Sequence, residues 1–480
     1  MSGRLVVIGA GADELVAALY LARAGHRVTV LEEHASDSMP APPSEGWILP
    51  RIAADLELER HGLCVERPDP WIETVLPGGE RLQLWRDTQR SEDSLRKCSA
   101  LDAAQWPRFC ARLRSVAGVL EQLYTAPAPD PMSRDAADLW QLASLSWRVR
   151  RLGRCAIQDL LHVLPMPVAD LLDDSFELDA LKATLAAAGV MHSFLGPRSA
   201  GSALGLVHRH VGNPSGVFRP ERSNLPAVLR GLVERQPRIE LRRDRVAGID
   251  IRSGRARGVR TASGALLEAD AVVSGLDPRR TLLELVDPVW IDPELQRALR
   301  HVRARGVSAT VHLRLSGAAT FRRLSFAASL DALERSFDDA KYGRMSSAPL
   351  VEAVSESEQG VSVHVQYIPY ALRDGAWGEK RRHALGLSVL SQLAARAPEF
   401  AHARIERVAT PLDLESALGW PQGQAQHAEL ALDQFLWMRP LPQLARYATP
   451  VAGLYLCGPA MHPGAGVPGA AGMLAAAALR

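Results

Sequence analysis

Residues 5 to 34 read LVVIGAGADELVAALYLARAGHRVTVLEEH. Leu5 to Ile8 is a short apolar run ending in glycine, the pattern of a strand buried in a parallel sheet. From Ala12 to Ala24, Leu15, Ala18, Leu19 and Leu21 recur at helical spacing, and Gly25 supplies a C-terminal stop. His26 to Leu31 predicts a second strand, closed by Glu32. Strand, glycine turn, helix, strand and terminal acid in this register form a dinucleotide-binding βαβ unit. The glycines let backbone approach a diphosphate at a helix N-terminus, whose free N–H groups favour an anion. Glu32 is placed to accept hydrogen bonds from ribose hydroxyls. One position departs from the pattern: Glu14 stands where the third glycine of the turn belongs.

The rest of the chain narrows the class. Its 480 residues are enough for two or more domains, or one domain interrupted by another. With 56 basic and 54 acidic residues there is no basic surplus to draw nucleic acid. The arginine clusters at 148–154 and 242–245 read as solvated faces. Five cysteines, Cys64, Cys98, Cys110, Cys155 and Cys457, form no CxxC pair, which excludes a dithiol centre and fits a reducing compartment. His208 and His210 lack the carboxylate-bearing spacing of a metal motif and read as surface or core histidines, so no metal site is expected. No apolar stretch is long enough to span a bilayer, and Asp13 and Glu14 interrupt what would be a signal peptide's apolar region. A cytoplasmic protein is expected, with contact at a membrane surface left open.

Two distant stretches return to the first unit. Residues 239–274 carry strand-like runs, IELRRDRVAGIDI, ARGVRTA and ADAVVSG, with turns at Gly254 and Gly264, the pattern of three short strands followed by a more buried one. Residues 453–479 predict a strand, a glycine-rich loop and an Ala-rich helix with Pro468 in its first turn. The expected class is α/β: a Rossmann-type FAD/NAD(P)-binding domain built from discontinuous segments, with an inserted α+β substrate domain. Its nucleotide-binding segments are 1–70, 215–288 and 419–480, and its substrate segments 71–214 and 289–418.

The βαβ opening, LPGGERLQLWRD (76–87), FLGPRSAGSALGLVHRHVG (194–212), VSGLDPRRTLLELVDP (273–288), ELALDQFLWMRPLP (429–442) and YLCGPAMHPGAGVPGA (455–470) occur in order along almost the whole chain. Together they resemble the phytoene desaturase-related FAD-dependent oxidoreductases, nearest to the branch of pyridine nucleotide-disulfide oxidoreductase domain-containing protein 2. The resemblance implies FAD and a hydrophobic small-molecule substrate of polyene or isoprenoid type. It also implies desaturation, saturation or isomerisation at C–C and C=C bonds by the flavin ring, with the protein positioning the substrate. It places Gly9 and Gly11 at the diphosphate, Glu32 at the ribose and the Val246 backbone at the adenine. Gly458 falls in the carboxy-terminal FAD loop, and Gly464, Gly466 and Val467 under the flavin. No catalytic side chain is assigned; His462 is the one residue there able to titrate near neutrality.

The chain departs from this pattern around the cofactor. Besides Glu14, EEHASDSMPAPPSEGW (32–47) lacks the family's glycine pair and FRPERSNLPAVL (218–229) replaces a glycine-rich stretch. Pro468 offers no N–H toward a flavin. Asp13 and Glu14 stand where the diphosphate should lie: either Glu14 caps the helix N-terminus with the protein's own anion, a contact worth about 0.3–1 kcal/mol at exposed sites, or it turns outward to solvent and FAD still binds. Two functions follow: an FAD-dependent oxidoreductase, or a flavin-free relative that serves as a binding or partner protein.

Overall fold

The computed structural model describes residues 3–33, 44–128, 139–140, 142–143, 147 and 154–479. Most of the arginine cluster at 148–154 and the middle of the 32–47 stretch lie outside the described residues. The opening segment folds as its periodicity predicts. β1 (Arg4–Ile8) has four of its five side chains buried, α1 spans Ala12–Arg23, and β2 (Arg27–Glu32) runs parallel to β1. Later chain completes this sheet with β8 (Ile239–Arg243), β12 (Ala271–Ser274) and β18 (Leu454–Leu456), in the order β18-β12-β1-β2-β8. All four pairings are parallel, so the strand ends that carry Gly9, Gly275 and Gly458 gather at one edge. Three short strands, β3 (Ser44–Glu45), β4 (Val65–Glu66) and β7 (Arg222–Ser223), pair as a small separate sheet.

IELRRDRVAGIDI divides into two strands that belong to different sheets. β8 leaves the parallel sheet at Asp244, whose N–H donates to the Glu32 carbonyl at 3.1 Å. The chain then turns into β9 (Val246–Arg252), which joins β10 (Arg255–Thr261) and β11 (Leu266–Glu268) in an antiparallel sheet. The last helix covers Ala470–Ala478, so Pro468 lies outside its first turn. Gly469, with φ +83°, forms the cap and makes the bend that Pro468 cannot.

A seven-stranded sheet stands apart. The hairpin β5 (Ile72–Val75) and β6 (Arg81–Leu84) forms one edge. β13 (Ser308–Arg314), β14 (Arg323–Ser325), β15 (Val351–Ser355), β16 (Gly360–Gln366) and β17 (Arg404–Ala409) complete it, in the order β17-β13-β16-β15-β14-β5-β6. Period-two alternation divides its faces. Val311, Leu313, Val351, Ala353, Val361, Val363 and Val365 form an apolar core with Val389 and Leu393 of helix Glu379–Ala394. The opposite face carries Ser308, Thr310, Glu352, Ser362, His364 and Gln366. Among the described residues no helix is long and apolar enough to cross a membrane and no His/Cys/Asp/Glu group could hold a metal, while Cys64, Cys98, Cys110 and Cys457 are free.

Candidate functional site

The turn between β1 and α1 begins at Gly9, whose φ of +106° disfavours a side chain. α1 starts with Leu15 N–H donating to the Gly11 carbonyl at 3.0 Å. Helical Cα–Cβ bonds tilt toward the N-terminus, so Glu14 turns back into the glycine turn. Glu14 is 5% exposed. A carbon added to Gly275 would stand 1.7 Å from Glu14 Oε1, and one on Gly11 would stand 2.6 Å from Oε2. Gly9 meets the same side chain at Cγ, at 3.0 Å. The space that three glycines open at the helix N-terminus therefore holds a carboxyl group of the chain itself.

Asp13 completes an acid pair. Its Oδ1 accepts the Gly472 N–H at 3.4 Å, and the backbone of Gly469 and Ala471 also favours its ionised form. Asp13 thus caps the last helix across the interface with α1. Burial raises the pKa of both carboxyls; for Glu14 the neighbouring Asp13 charge adds to the rise, while the N–H groups of Gly11 and of Glu14 itself oppose it. Two adjacent buried carboxyls cannot both ionise cheaply. The pair faces Cys457, whose thiol is pushed up first by burial and then by these charges.

Glu32 ends β2 where a ribose-binding acid belongs, but its Oε1 accepts from Arg230 on helix Leu225–Arg235. Its Oε2 is buried with no hydrogen-bond partner. Val246 opens β9, opposite Thr261 and just beyond the contact between Asp244 and Glu32. The sequence places Gly9, Gly11, Glu32 and Val246 at one nucleotide site, and the fold brings these positions to one edge of the parallel sheet. It adds Gly275 and Arg230, which sequence reasoning missed, beside Asp13, which the sequence had already singled out. Gly275 had a signal, since a glycine follows the buried run of β12 as Gly9 follows that of β1.

The C-terminal loop closes the other side. Gly458 allows β12 and β18 to converge, because a carbon there would be 2.1 Å from the Gly275 carbonyl oxygen. Gly464 packs on the Arg439 guanidinium and Gly466 on the His208 ring, and Val467 is fully buried. Trp47 N–H donates to the Gly466 carbonyl at 2.9 Å. Arg439 is 0% exposed and donates to the carbonyls of Gln426, Ala428, Glu429, Gln434, Pro459 and Met461. Desolvation lowers its pKa to about 10, which leaves it charged at neutral pH. Tyr124 donates to His208 Nδ1 at 2.8 Å, while His208 Nε2 donates to the Ala465 carbonyl at 2.7 Å. His462 donates from Nε2 to the Leu123 carbonyl at 3.1 Å, and burial lowers its pKa to about 4. His208 and His210 are both buried, as core histidines.

A doubly glycine-lined strand edge, an acid at the end of β2 and a glycine loop before a final helix define a dinucleotide-type flavoprotein scaffold. Residues 166–479 match the family of flavin containing amine oxidoreductases, and the chain belongs to that family. It is 29% identical over 98% of its length to mouse pyridine nucleotide-disulfide oxidoreductase domain-containing protein 2, covering 92% of that relative. A subunit of limonene dehydrogenase from Castellaniella defragrans is 24% identical over 96% of this chain and 91% of its own. Among solved structures, a putrescine oxidase bound to putrescine superposes with a TM-score of 0.61 at 14% identity, covering 100% of this chain and 98% of its own. Cyclohexylamine oxidase from Brevibacterium oxydans gives 0.55 at 14% identity, covering 100% and 99%. At this identity the two oxidases share the fold.

Membership of this family implies FAD. The glycines, Glu32 and the terminal loop keep the outline of its site. The diphosphate position does not fit the cofactor as folded, because the buried Glu14 carboxyl fills the space between Gly9, Gly11 and Gly275. Glu32 is likewise engaged by Arg230.

Proposed function

We propose that this chain is a member of the family that does not carry its own flavin. In this reading it works as the companion chain of an oxidoreductase that dehydrogenates, saturates or isomerises C–C or C=C bonds of a hydrophobic, isoprenoid-type substrate. The observation that carries the reading is the buried Glu14 carboxyl among Gly9, Gly11 and Gly275. The relative from limonene dehydrogenase supports the rest: limonene is an isoprenoid hydrocarbon, and a chain named as one subunit of an enzyme works beside another. The phytoene desaturase-like motifs point to the same substrate class. The cytoplasm is the proposed setting, consistent with free cysteines among the described residues.

A second reading has its own support. Family membership, the retained Gly9, Gly11 and Glu32, and the loop with Gly458, Gly464, Gly466 and Val467 favour an FAD-dependent enzyme in which Glu14 swings out as the cofactor enters. The visible spectrum of the purified chain separates the two. The flavin-free reading predicts colourless protein that takes up no added FAD; a stoichiometric flavin band establishes the second reading instead.

A further inference from the structure

The inner face of the seven-stranded sheet holds a hydrogen-bond network whose donors and acceptors can be assigned. Gln366 Nε2 donates to the carbonyls of Val190 at 2.9 Å and Ser193 at 3.1 Å, which fixes its amide orientation. Its Oε1 can therefore only accept, and three groups reach it. They are the His192 backbone N–H at 3.0 Å, Ser308 Oγ at 3.0 Å and His364 Nε2 at 3.1 Å. Ser308 gives its one proton to Gln366, so its contact with His192 Nδ1 at 3.2 Å is donated by the ring. Each imidazole is left with its proton on the bonded nitrogen. His192 Nε2 and His364 Nδ1 carry lone pairs and have no partner among the described residues.

These rings lie 4.6 Å apart, centroid to centroid, and neither remaining nitrogen is a solvent-excluded orphan. His192, His364, Thr310, Ser362 and Arg209 are only partly covered, although burial dominates the acidity of both histidines and of Arg209. Residual surface on groups so strongly desolvated implies a space inside the fold beside the two rings and Arg209. Arg209, on helix Ser202–His210, donates to the Met191 carbonyl at 2.9 Å and has no ion-pair partner among the described residues. Its charge acts on both rings and favours their neutral forms, while at His364 the carboxylates of Glu352 and Glu45 act the other way and burial decides the outcome. Glu352, opposite His364, is taken up by Arg219 at 2.8 Å and Arg323 at 3.6 Å.

We propose that this space holds a hydroxyl group, so that the ligand is a hydrophobic alcohol. One lone-pair nitrogen accepts from the hydroxyl proton, and Arg209 donates to its oxygen. The other polar ends fit worse. An ammonium meets the Arg209 charge, and a carboxylate meets two lone pairs. The proposal rests on the hydrophobic-substrate reading and is independent of flavin. It is tested by calorimetric titration of the full chain at pH 7.5 with geraniol, geranylamine and geranic acid, which share one carbon skeleton. Geraniol is expected to bind about tenfold tighter than either, the effect of one good hydrogen bond. His364→Phe and Arg209→Met are each expected to weaken geraniol by a similar factor without changing the circular dichroism spectrum. Equal binding of all three overturns the hydroxyl site but leaves the hydrophobic-substrate reading standing. Preference for the amine or the acid overturns the hydroxyl site, and no binding by any of them overturns both.

Discussion

At the scale of the residue, Glu14 has a consequence that does not involve flavin. The folded chain keeps the Glu14 proton at pH values where the unfolded chain, with an ordinary carboxyl near 4.5, has lost it. Unfolding in that window releases a proton, so the contribution of Glu14 to stability falls as pH rises toward the raised folded value. Each tenfold gain in proton affinity is worth about 1.4 kcal/mol. Glu14→Gln keeps the shape and cannot ionise. Its denaturation midpoint should exceed that of the wild type by more at pH 8 than at pH 5; a gap that does not change with pH would mean that Glu14 faces water. That Glu14 stands at the glycine turn was legible in the sequence; that it points inward rather than to solvent is shown by the fold. Arg230 on Glu32 was not, since the two residues meet only through the fold.

At the scale of the element, close approach of backbones depends on glycine. Gly472 lets the last helix lie on α1, and a carbon there would be 1.8 Å from the Asp13 carbonyl oxygen. Gly472→Ala should therefore destabilise by about 1–3 kcal/mol, the cost of overpacking. Gly231, in a helix with open space around it, gives the opposite sign: Gly231→Ala should stabilise by about 0.5–1 kcal/mol. Chemical denaturation of both variants checks the pair. Arg439 fastens the loop at 459–461 to the 426–434 segment through six carbonyls. Arg439→Met should cost at least about 3 kcal/mol, because buried acceptors lose their donors. Lysine should not rescue it, having three donors and no planar fork; thermal unfolding of the two variants reads this out. Elements set by local periodicity, such as β1, α1 and β2, were legible in advance. That the two halves of 239–251 join different sheets was not, because β8 pairs with β2, far off in sequence, up to the contact of Asp244 with the Glu32 carbonyl.

At the scale of the whole molecule, the chain keeps the frame of a flavin containing amine oxidoreductase while the Glu14 carboxyl fills the space among Gly9, Gly11 and Gly275. The fold was readable because glycine turns and buried strands repeat at three separated places along the chain. The histidine network on the seven-stranded sheet was not, because Gln366 joins residues from β13, β16 and the segment after helix Asp179–Val190. The most direct measurement is the visible absorbance spectrum of the wild type and of Glu14→Gly, each purified, incubated with excess FAD and then freed of unbound flavin. The wild type should stay colourless, and Glu14→Gly should gain the visible band that the flavin ring itself supplies. Stoichiometric flavin in the wild type, unchanged by the substitution, would contradict the account.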